Sequence, residues 1–117
     1  MATKTQIAIG GRHISFLKTG EGKDLILFIH GNSMAAENWL PQLENEDLNS
    51  SYSLVAIDLP GHGSSEWSNG NALMYHPAEM AKTLEPLLDQ LGAKKFILVG
   101  LSLGTNVIMM FPAKGFL

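Results

Sequence analysis

Hydrophobic residues follow two different patterns along this chain of 117 residues, and each pattern predicts a different kind of strand. In residues 4–9 and 12–19, apolar and polar side chains alternate on either side of Gly10-Gly11, as in an antiparallel hairpin. Three later runs are almost continuously apolar: residues 24–29, 53–57 and 96–99. Because strands of a parallel sheet are covered on both faces, these runs predict a buried parallel layer.

Apolar residues at helical spacing occupy the intervals between these runs. They predict helices over residues 35–46, 77–91 and 103–111, the second one ended by Gly92. We expect Pro86 to kink that second helix or to interrupt one of its backbone hydrogen bonds. The alternation of strands and helices predicts an α/β fold with right-handed crossover connections.

Composition narrows the class of protein. The length allows one domain over residues 1–117, and 45% hydrophobic residues with 16% charged residues are typical of a globular chain. A net charge of −3 without a basic run argues against nucleic acid or an anionic membrane as partner. The chain has no cysteine and no apolar segment long enough for a signal peptide or a membrane span. We expect a cytoplasmic protein without a metal or other cofactor.

Residues 64–76, with the pair Asn69-Gly70, predict a loop.

The strongest candidate for chemistry follows the third apolar run. Gly100-Leu101-Ser102-Leu103-Gly104 joins a predicted strand to a predicted helix, which is the context of a nucleophile elbow. The two glycines allow strand and helix to approach closely, so that the Ser102 hydroxyl stands clear of the sheet. The backbone N–H of Leu103 would then face the group that the serine attacks. The alternative is a glycine-rich connection in which the serine has no chemical role.

A second turn, His30-Gly31-Asn32-Ser33, follows the first apolar run and is predicted to lie on the same edge of the sheet. There the backbone N–H of Asn32 can provide a second donor to an oxyanion. The Asn32 and Ser33 side chains would contact substrate or cap the helix over 35–46. For His30 we favour a structural role, with its ring hydrogen-bonded to nearby loop backbone, over a role as general base.

The third turn spans Asp58-Leu59-Pro60-Gly61-His62-Gly63-Ser64-Ser65. Asp58 could orient a histidine, but we favour a carboxylate bonded to the N–H groups of its own turn. His62 is expected to be an exposed loop residue, His13 a surface strand residue and His76 the entry to a helix. A nucleotide-binding role for Gly61-His62-Gly63 is disfavoured, because the third glycine is missing and no helix follows directly.

Together the three turns resemble the N-terminal half of an α/β-hydrolase-fold protein, in the right order and each after a predicted strand. The resemblance implies a partial α/β-hydrolase fold with an N-terminal hairpin, parallel strands and missing C-terminal strands. It implies Ser102 as nucleophile and the N–H groups of Asn32 and Leu103 as oxyanion donors. The implied reaction is hydrolysis of an ester, thioester, amide or lactone of a small acyl substrate. An acyltransferase relative and a non-catalytic binding module are the alternatives.

One departure from that family concerns the catalytic acid and base. The family's order places Asp or Glu and then His after the serine, whereas residues 103–117 contain none of these. We therefore expect a truncated chain that is inactive alone, because an unassisted serine is a weak nucleophile. The apolar strand 96–99 would also form a bare sheet edge, through which self-association is expected.

Overall fold

Five strands form one mixed sheet in the computed structural model, which describes residues 2–65 and 76–111. They are β1 (Thr3–Ile9), β2 (Arg12–Thr19), β3 (Leu25–Ile29), β4 (Ser53–Ile57) and β5 (Phe96–Gly100). Their order across the sheet is β1-β2-β4-β3-β5. β1 and β2 form the predicted antiparallel hairpin, and β2 joins it to β4, also antiparallel. β4, β3 and β5 are parallel, which confirms the predicted parallel layer.

The first predicted helix is divided into short pieces. A 3₁₀ turn over Ala36–Trp39 leads into α1 (Leu40–Leu43), and α2 (Glu46–Asn49) follows separately. Pro41 explains the first change, because its ring would clash with a carbonyl four residues earlier in a continuous α-helix. Asn45 explains the second, since its side chain accepts a hydrogen bond from the Leu48 N–H at 3.1 Å and starts a new helix. The expectation of one helix over 35–46 was therefore wrong.

The second predicted helix is also interrupted. α3 (Pro77–Ala81) and α4 (Leu84–Gln90) replace the continuous helix expected over residues 77–91. Pro86 lies in the first turn of α4, and its ring excludes the helical position of the carbonyl of Lys82, where the break occurs. The expected disturbance by Pro86 is thus confirmed, in the form of two helices. Residues 66–75, which include the predicted turn at Asn69-Gly70, lie outside the described residues.

The last helix, α5 (Leu103–Met109), follows β5 directly and is shorter than expected. Within residues 2–65 and 76–111, none of the helices combines the length and the apolar character that crossing a bilayer requires.

Alternate residues of β3 and β4 pack into two separate hydrophobic cores, one on each face of the sheet. Leu27 and Ile29 of β3 pack with Val55 and Ile57 of β4 against α3, α4 and α5. Phe28 of β3 instead faces the other core, under the 3₁₀ turn and α1. All five residues of β3 are buried, as its continuously apolar sequence predicted. Helices on both faces therefore hold β3 rigidly, and the loops that follow the parallel strands leave the sheet on one edge.

β5 is covered less completely than β3. In the described part of the chain it pairs with β3 on one side only, and Ile97 is 50% exposed. The apolar sequence of residues 96–99 suggested a strand covered on both faces, and for β5 that expectation was wrong. The apolar edge itself agrees with the prediction made from the sequence.

We propose that the β5 edge pairs with the β5 edge of a second copy. We expect the two β5 strands to pair in the antiparallel direction, which keeps Lys94 and Lys95 apart from the same lysines of the second copy. Parallel pairing would bring these four positive charges together, and their repulsion would destabilise the dimer. In sedimentation velocity at micromolar concentration we expect dimers or larger species, and Ile97→Lys should shift the chain toward monomer. Thr5→Lys, which adds the same charge to the exposed face of β1, is the control. A monomeric chain that unfolds in one sharp transition would contradict this prediction.

Candidate active site

Ser102 has an unusual backbone conformation between β5 and α5. Its φ of 53° and ψ of −111° lie in a region that residues with a Cβ rarely adopt. Strain of this kind costs on the order of 1–3 kcal/mol and persists only where the surroundings enforce it. The side chain of Ser102 is exposed at the start of α5. The sharp strand-to-helix bend predicted from the sequence is therefore present.

Two glycines allow that bend. A Cβ on Gly104 would collide with the carbonyl group of Ile29 at the end of β3. A Cβ on Gly100 would lie 2.7 Å from the carbonyl carbon of Gly104. The first turn of α5 thus rests on the backbone of β3, and the chain has to turn sharply at Ser102 to reach that position.

The loop after β3 runs directly beside Ser102. Residues 31–34 form a turn in which the Met34 N–H donates to the Gly31 carbonyl at 3.2 Å. Ser33 has a φ of 60°, at the turn position where type II geometry requires a positive value. A Cβ on Gly31 would lie 3.0 Å from the Met34 sulfur and 3.3 Å from the Cβ of Ser102, so glycine lets this turn approach the serine without crowding it. The two turns predicted to share one sheet edge are in contact.

The side chain of His30 holds this turn in place through hydrogen bonds to the backbone. The fully buried ring places Nδ1 2.7 Å from the Gly31 carbonyl, and its Nε2 accepts the Leu59 N–H at 3.0 Å. Nδ1 therefore carries the proton. Burial lowers the pKa of His30 below 6.5, and the nearby His62 lowers it further. The hydrogen bond to Gly31 raises the pKa, but by less than burial lowers it. With both nitrogens bonded to backbone, His30 has the structural role predicted for it.

Asp58 joins the third turn to the 3₁₀ turn that follows the second. Its buried carboxylate accepts hydrogen bonds from the Ala36 N–H at 2.8 Å and the Ser64 N–H at 3.0 Å. Gly63, at a φ of +52°, packs so closely on this carboxylate that a Cβ would collide with it. The prediction that N–H groups of its own turn satisfy Asp58 is confirmed for Ser64, whereas the second donor, Ala36, belongs to the 3₁₀ turn after β3.

A cavity of about 510 Å³ opens where the three turns meet. Its lining contains three residues singled out from the sequence for catalysis or oxyanion binding, Asn32, Ser102 and Leu103. Leu103 is the first residue of α5, so its N–H has no acceptor within the helix. Among the described residues, the N–H of Asn32 also donates to no backbone or side-chain acceptor. Two unused donors thus belong to residues that line the same cavity as the serine hydroxyl.

The other polar residues considered from the sequence, Ser33, His13 and His76, do not line the cavity. Ser33 is exposed on its turn and does not contribute to the cavity lining, so its contact with substrate stays a prediction. Neither Asn32 nor Ser33 caps the 3₁₀ turn that follows, because its N-cap position is Ala35. His13 is on the surface in β2, and His76 caps α3 by accepting the Ala78 N–H, both as expected.

The sequence did not indicate three further residues of the cavity lining: His62, Met80 and Asn106. His62 was expected to be exposed, but it is half-buried, and its ring centroid lies 5.0 Å from that of His30. Asn106 could have been recognised, because it lies in the first turn of the helix that starts directly after Ser102.

The part of the chain that the structure describes contains no cluster of three or more His, Asp or Glu side chains suited to a metal.

Comparison with known proteins agrees with this geometry. The sequence profile of the α/β-hydrolase fold matches residues 24–115. The chain belongs to this family. Its mixed sheet and flanking helices match the family's solved structures, which confirms the fold expected from the three turns.

Similar proteins include enzymes of several kinds. An esterase of Mycobacterium tuberculosis is 35% identical over 92 residues, covering 78% of this chain and 28% of the esterase. A dihydrolipoyllysine-residue acetyltransferase component of an acetoin cleaving system, from Cupriavidus necator, is 33% identical over 99 residues, or 85% of this chain and 25% of that protein. A variant of an N-acyl homoserine lactonase, solved with N-hexanoyl homoserine lactone, superposes with a TM-score of 0.86 at 28% identity. The chain covers 41% of that lactonase, and the alignment includes 96% of this chain. The chain thus spans about a quarter to two fifths of the length of these relatives.

The contact between α5 and β3 predicts the effect of adding one methyl group. Gly104→Ala should lower the free energy of unfolding by about 1–3 kcal/mol, because its Cβ would meet the Ile29 carbonyl and force the helix away from the strand. Thr105→Ala, at an exposed position on the same helix, is the control and should change stability by less than about 0.5 kcal/mol. Urea unfolding followed by tryptophan fluorescence measures both. Equal effects of the two substitutions would contradict the described contact.

The lowered pKa of His30 predicts a dependence of stability on pH. Since the unfolded chain binds this proton more readily than the folded chain, the contribution of His30 is complete above about pH 6.5 and is lost as pH falls through the lower folded pKa. Urea unfolding between pH 7.5 and pH 5 should therefore show a smaller loss of stability in His30→Asn than in the unmodified chain. Thr105→Ala, an exposed substitution that removes no titratable group, should retain the original slope. An unchanged slope in His30→Asn would contradict the buried neutral ring.

Proposed function

We propose that the chain carries the nucleophile and the oxyanion-binding groups of a serine hydrolase. The observation that carries this proposal is the cavity that Ser102 shares with Asn32 and Leu103. The strained φ of Ser102 and the close approach of Gly31 support it, because neither is needed in an ordinary strand-to-helix connection. Membership of a hydrolase family supports the same reaction class.

In the proposed reaction, the Ser102 Oγ attacks the carbonyl carbon of an acyl substrate. The carbonyl π electrons move to the oxygen, which the N–H groups of Asn32 and Leu103 stabilise, and each such donor typically contributes about 2.7–4 kcal/mol. Collapse of the tetrahedral intermediate expels an alcohol, thiol or amine with a proton and leaves an acyl group on Ser102. Water then attacks the ester carbon, releases the acid and returns the proton to the serine oxygen. The family's order of residues places the acid and base that assist these transfers after Ser102.

The substrate class is a small molecule with an ester, thioester, amide or lactone bond. The cavity volume of about 510 Å³ is within the range of small-molecule sites. Its lining combines apolar groups from Met80 and Leu103 with polar groups from Asn32, His62 and Asn106. The esterase and the lactonase among the similar proteins act on bonds of this class, as their names state. We propose that Asn32 and Ser33 contact the substrate. This small-molecule substrate is also the binding partner that we propose for the chain.

Acyl transfer is the second candidate. One relative is named as an acetyltransferase component, and the same acyl-serine could pass its acyl group to a thiol or hydroxyl in place of water. A third candidate, a binding module without chemistry, would bind an acyl ligand but leave Ser102 unreactive. We also propose that residues 1–117 are part of a larger α/β-hydrolase domain, since they cover 25–41% of these relatives. A cytoplasmic location stays a prediction.

A fluorophosphonate probe tests the proposal at the level of single residues. In this reaction the Ser102 Oγ forms a bond to phosphorus, fluoride leaves and the serine proton passes to solvent. For the 117-residue chain we expect slow labelling at Ser102 and no measurable turnover, because oxyanion groups alone retain only part of a triad enzyme's rate. Peptide mass spectrometry identifies the labelled residue.

Two variants complete this experiment. Ser102→Ala should abolish labelling, whereas Ser51→Ala, at an exposed serine before β4, should leave it unchanged. Labelling spread evenly over the surface serines, or an unreactive Ser102 with measurable affinity for acyl ligands, would contradict the proposed nucleophile. The second of these results would favour the binding module.

A further inference from the structure

His62 lines the same cavity as Ser102, but the proposed acyl transfer assigns no role to it. Its backbone is fixed on both sides, since its N–H donates to the Leu59 carbonyl at 2.9 Å and its carbonyl accepts the Ser65 N–H at 3.0 Å. Flanking glycines with φ values of 76° and 52° make this tight loop possible. His62 therefore lines the cavity from a backbone that is held in place.

Contacts of the ring determine which nitrogen is available. The His62 Nδ1 lies 3.0 Å from the carbonyl of Pro60, and a carbonyl can only accept a hydrogen bond. Nδ1 must therefore carry a proton, which leaves Nε2 of the neutral ring as an acceptor. His30 packs beside the ring at 5.0 Å between centroids and restricts its rotation. Within the described residues, no side chain or backbone group is bonded to the His62 Nε2.

We propose that the His62 Nε2 is a substrate-binding group that accepts a hydrogen bond from an O–H or N–H of the acyl substrate. The cavity would then prefer acyl substrates that carry such a donor close to the carbonyl group, over analogues in which the donor is methylated. This inference rests on the proposed function, because it places the substrate carbonyl beside Ser102. It also differs from a purely structural role for His62, in which the ring only fills space against His30.

A pair of unreactive ligands tests the preference: hexanamide, which has two N–H donors, and N,N-dimethylhexanamide, which has none. NMR titration of the 117-residue chain at pH 8 should give an affinity for hexanamide about five-fold higher, the effect of one hydrogen bond. Nitrogen-15 spectra of the histidine rings should show the proton of His62 on Nδ1. They should also show a shift of the Nε2 resonance with hexanamide and none with the dimethyl compound.

Variants separate recognition from packing. His62→Phe keeps a ring beside His30 but removes Nε2, so both ligands should bind with equal affinity. His13→Phe, a histidine on the surface strand, is the matched control and should retain the preference. Equal affinities for the two ligands in the unmodified chain, binding of neither ligand, or a proton found on the His62 Nε2 would each overturn the proposal.

Its failure can be distinguished from failure of the proposed function. Fluorophosphonate labelling at Ser102 without a preference for hexanamide would reject the role of His62 alone. A preference that depends on His62, together with an unreactive Ser102, would reject the nucleophile and leave a ligand-binding cavity.

Discussion

Close contact between the first turn of α5 and the end of β3 determines the rest of this site. Gly104 lies against the carbonyl group of Ile29, where any larger residue would collide, and Gly100 faces Gly104 across the bend. Because β3 is buried on both faces, the strand cannot move to relieve the contact. The bend must be taken up at Ser102, whose positive φ is the local cost. Two apolar cores thus fix the position of one exposed hydroxyl.

The remaining parts of the site are positioned by buried polar groups. His30 connects the backbone of Gly31 to that of Leu59, and Asp58 connects Ala36 to Ser64. Each of these side chains is fully buried and joins segments that follow different strands. Buried polar groups of this kind are stable only when they are fully paired, so a displaced loop would leave an unsatisfied partner. The segments that follow β3 and β4 consequently hold one another in place beside the cavity.

Much of this arrangement could be predicted from the sequence, because it depends on local rules. Continuous apolar runs indicated the parallel strands, and the glycines of the elbow indicated the bend at Ser102. The structural roles of His30 and Asp58 followed from the backbone donors and acceptors that tight turns supply. Helix boundaries were predicted less well, since Pro41 and Pro86 divide segments whose apolar periodicity is continuous. The position of His62 was missed because contact with His30 joins two loops that are far apart in the sequence.

The central claim is that the hydroxyl of Ser102 faces the backbone donors of Asn32 and Leu103. A crystal structure of the chain with a phosphonate attached to Ser102 tests this claim most directly. The account predicts that the phosphoryl oxygen lies about 2.7–3.1 Å from both backbone nitrogens, the range expected for an oxyanion and its donors. An adduct whose phosphoryl oxygen points to solvent, away from both nitrogens, would contradict it.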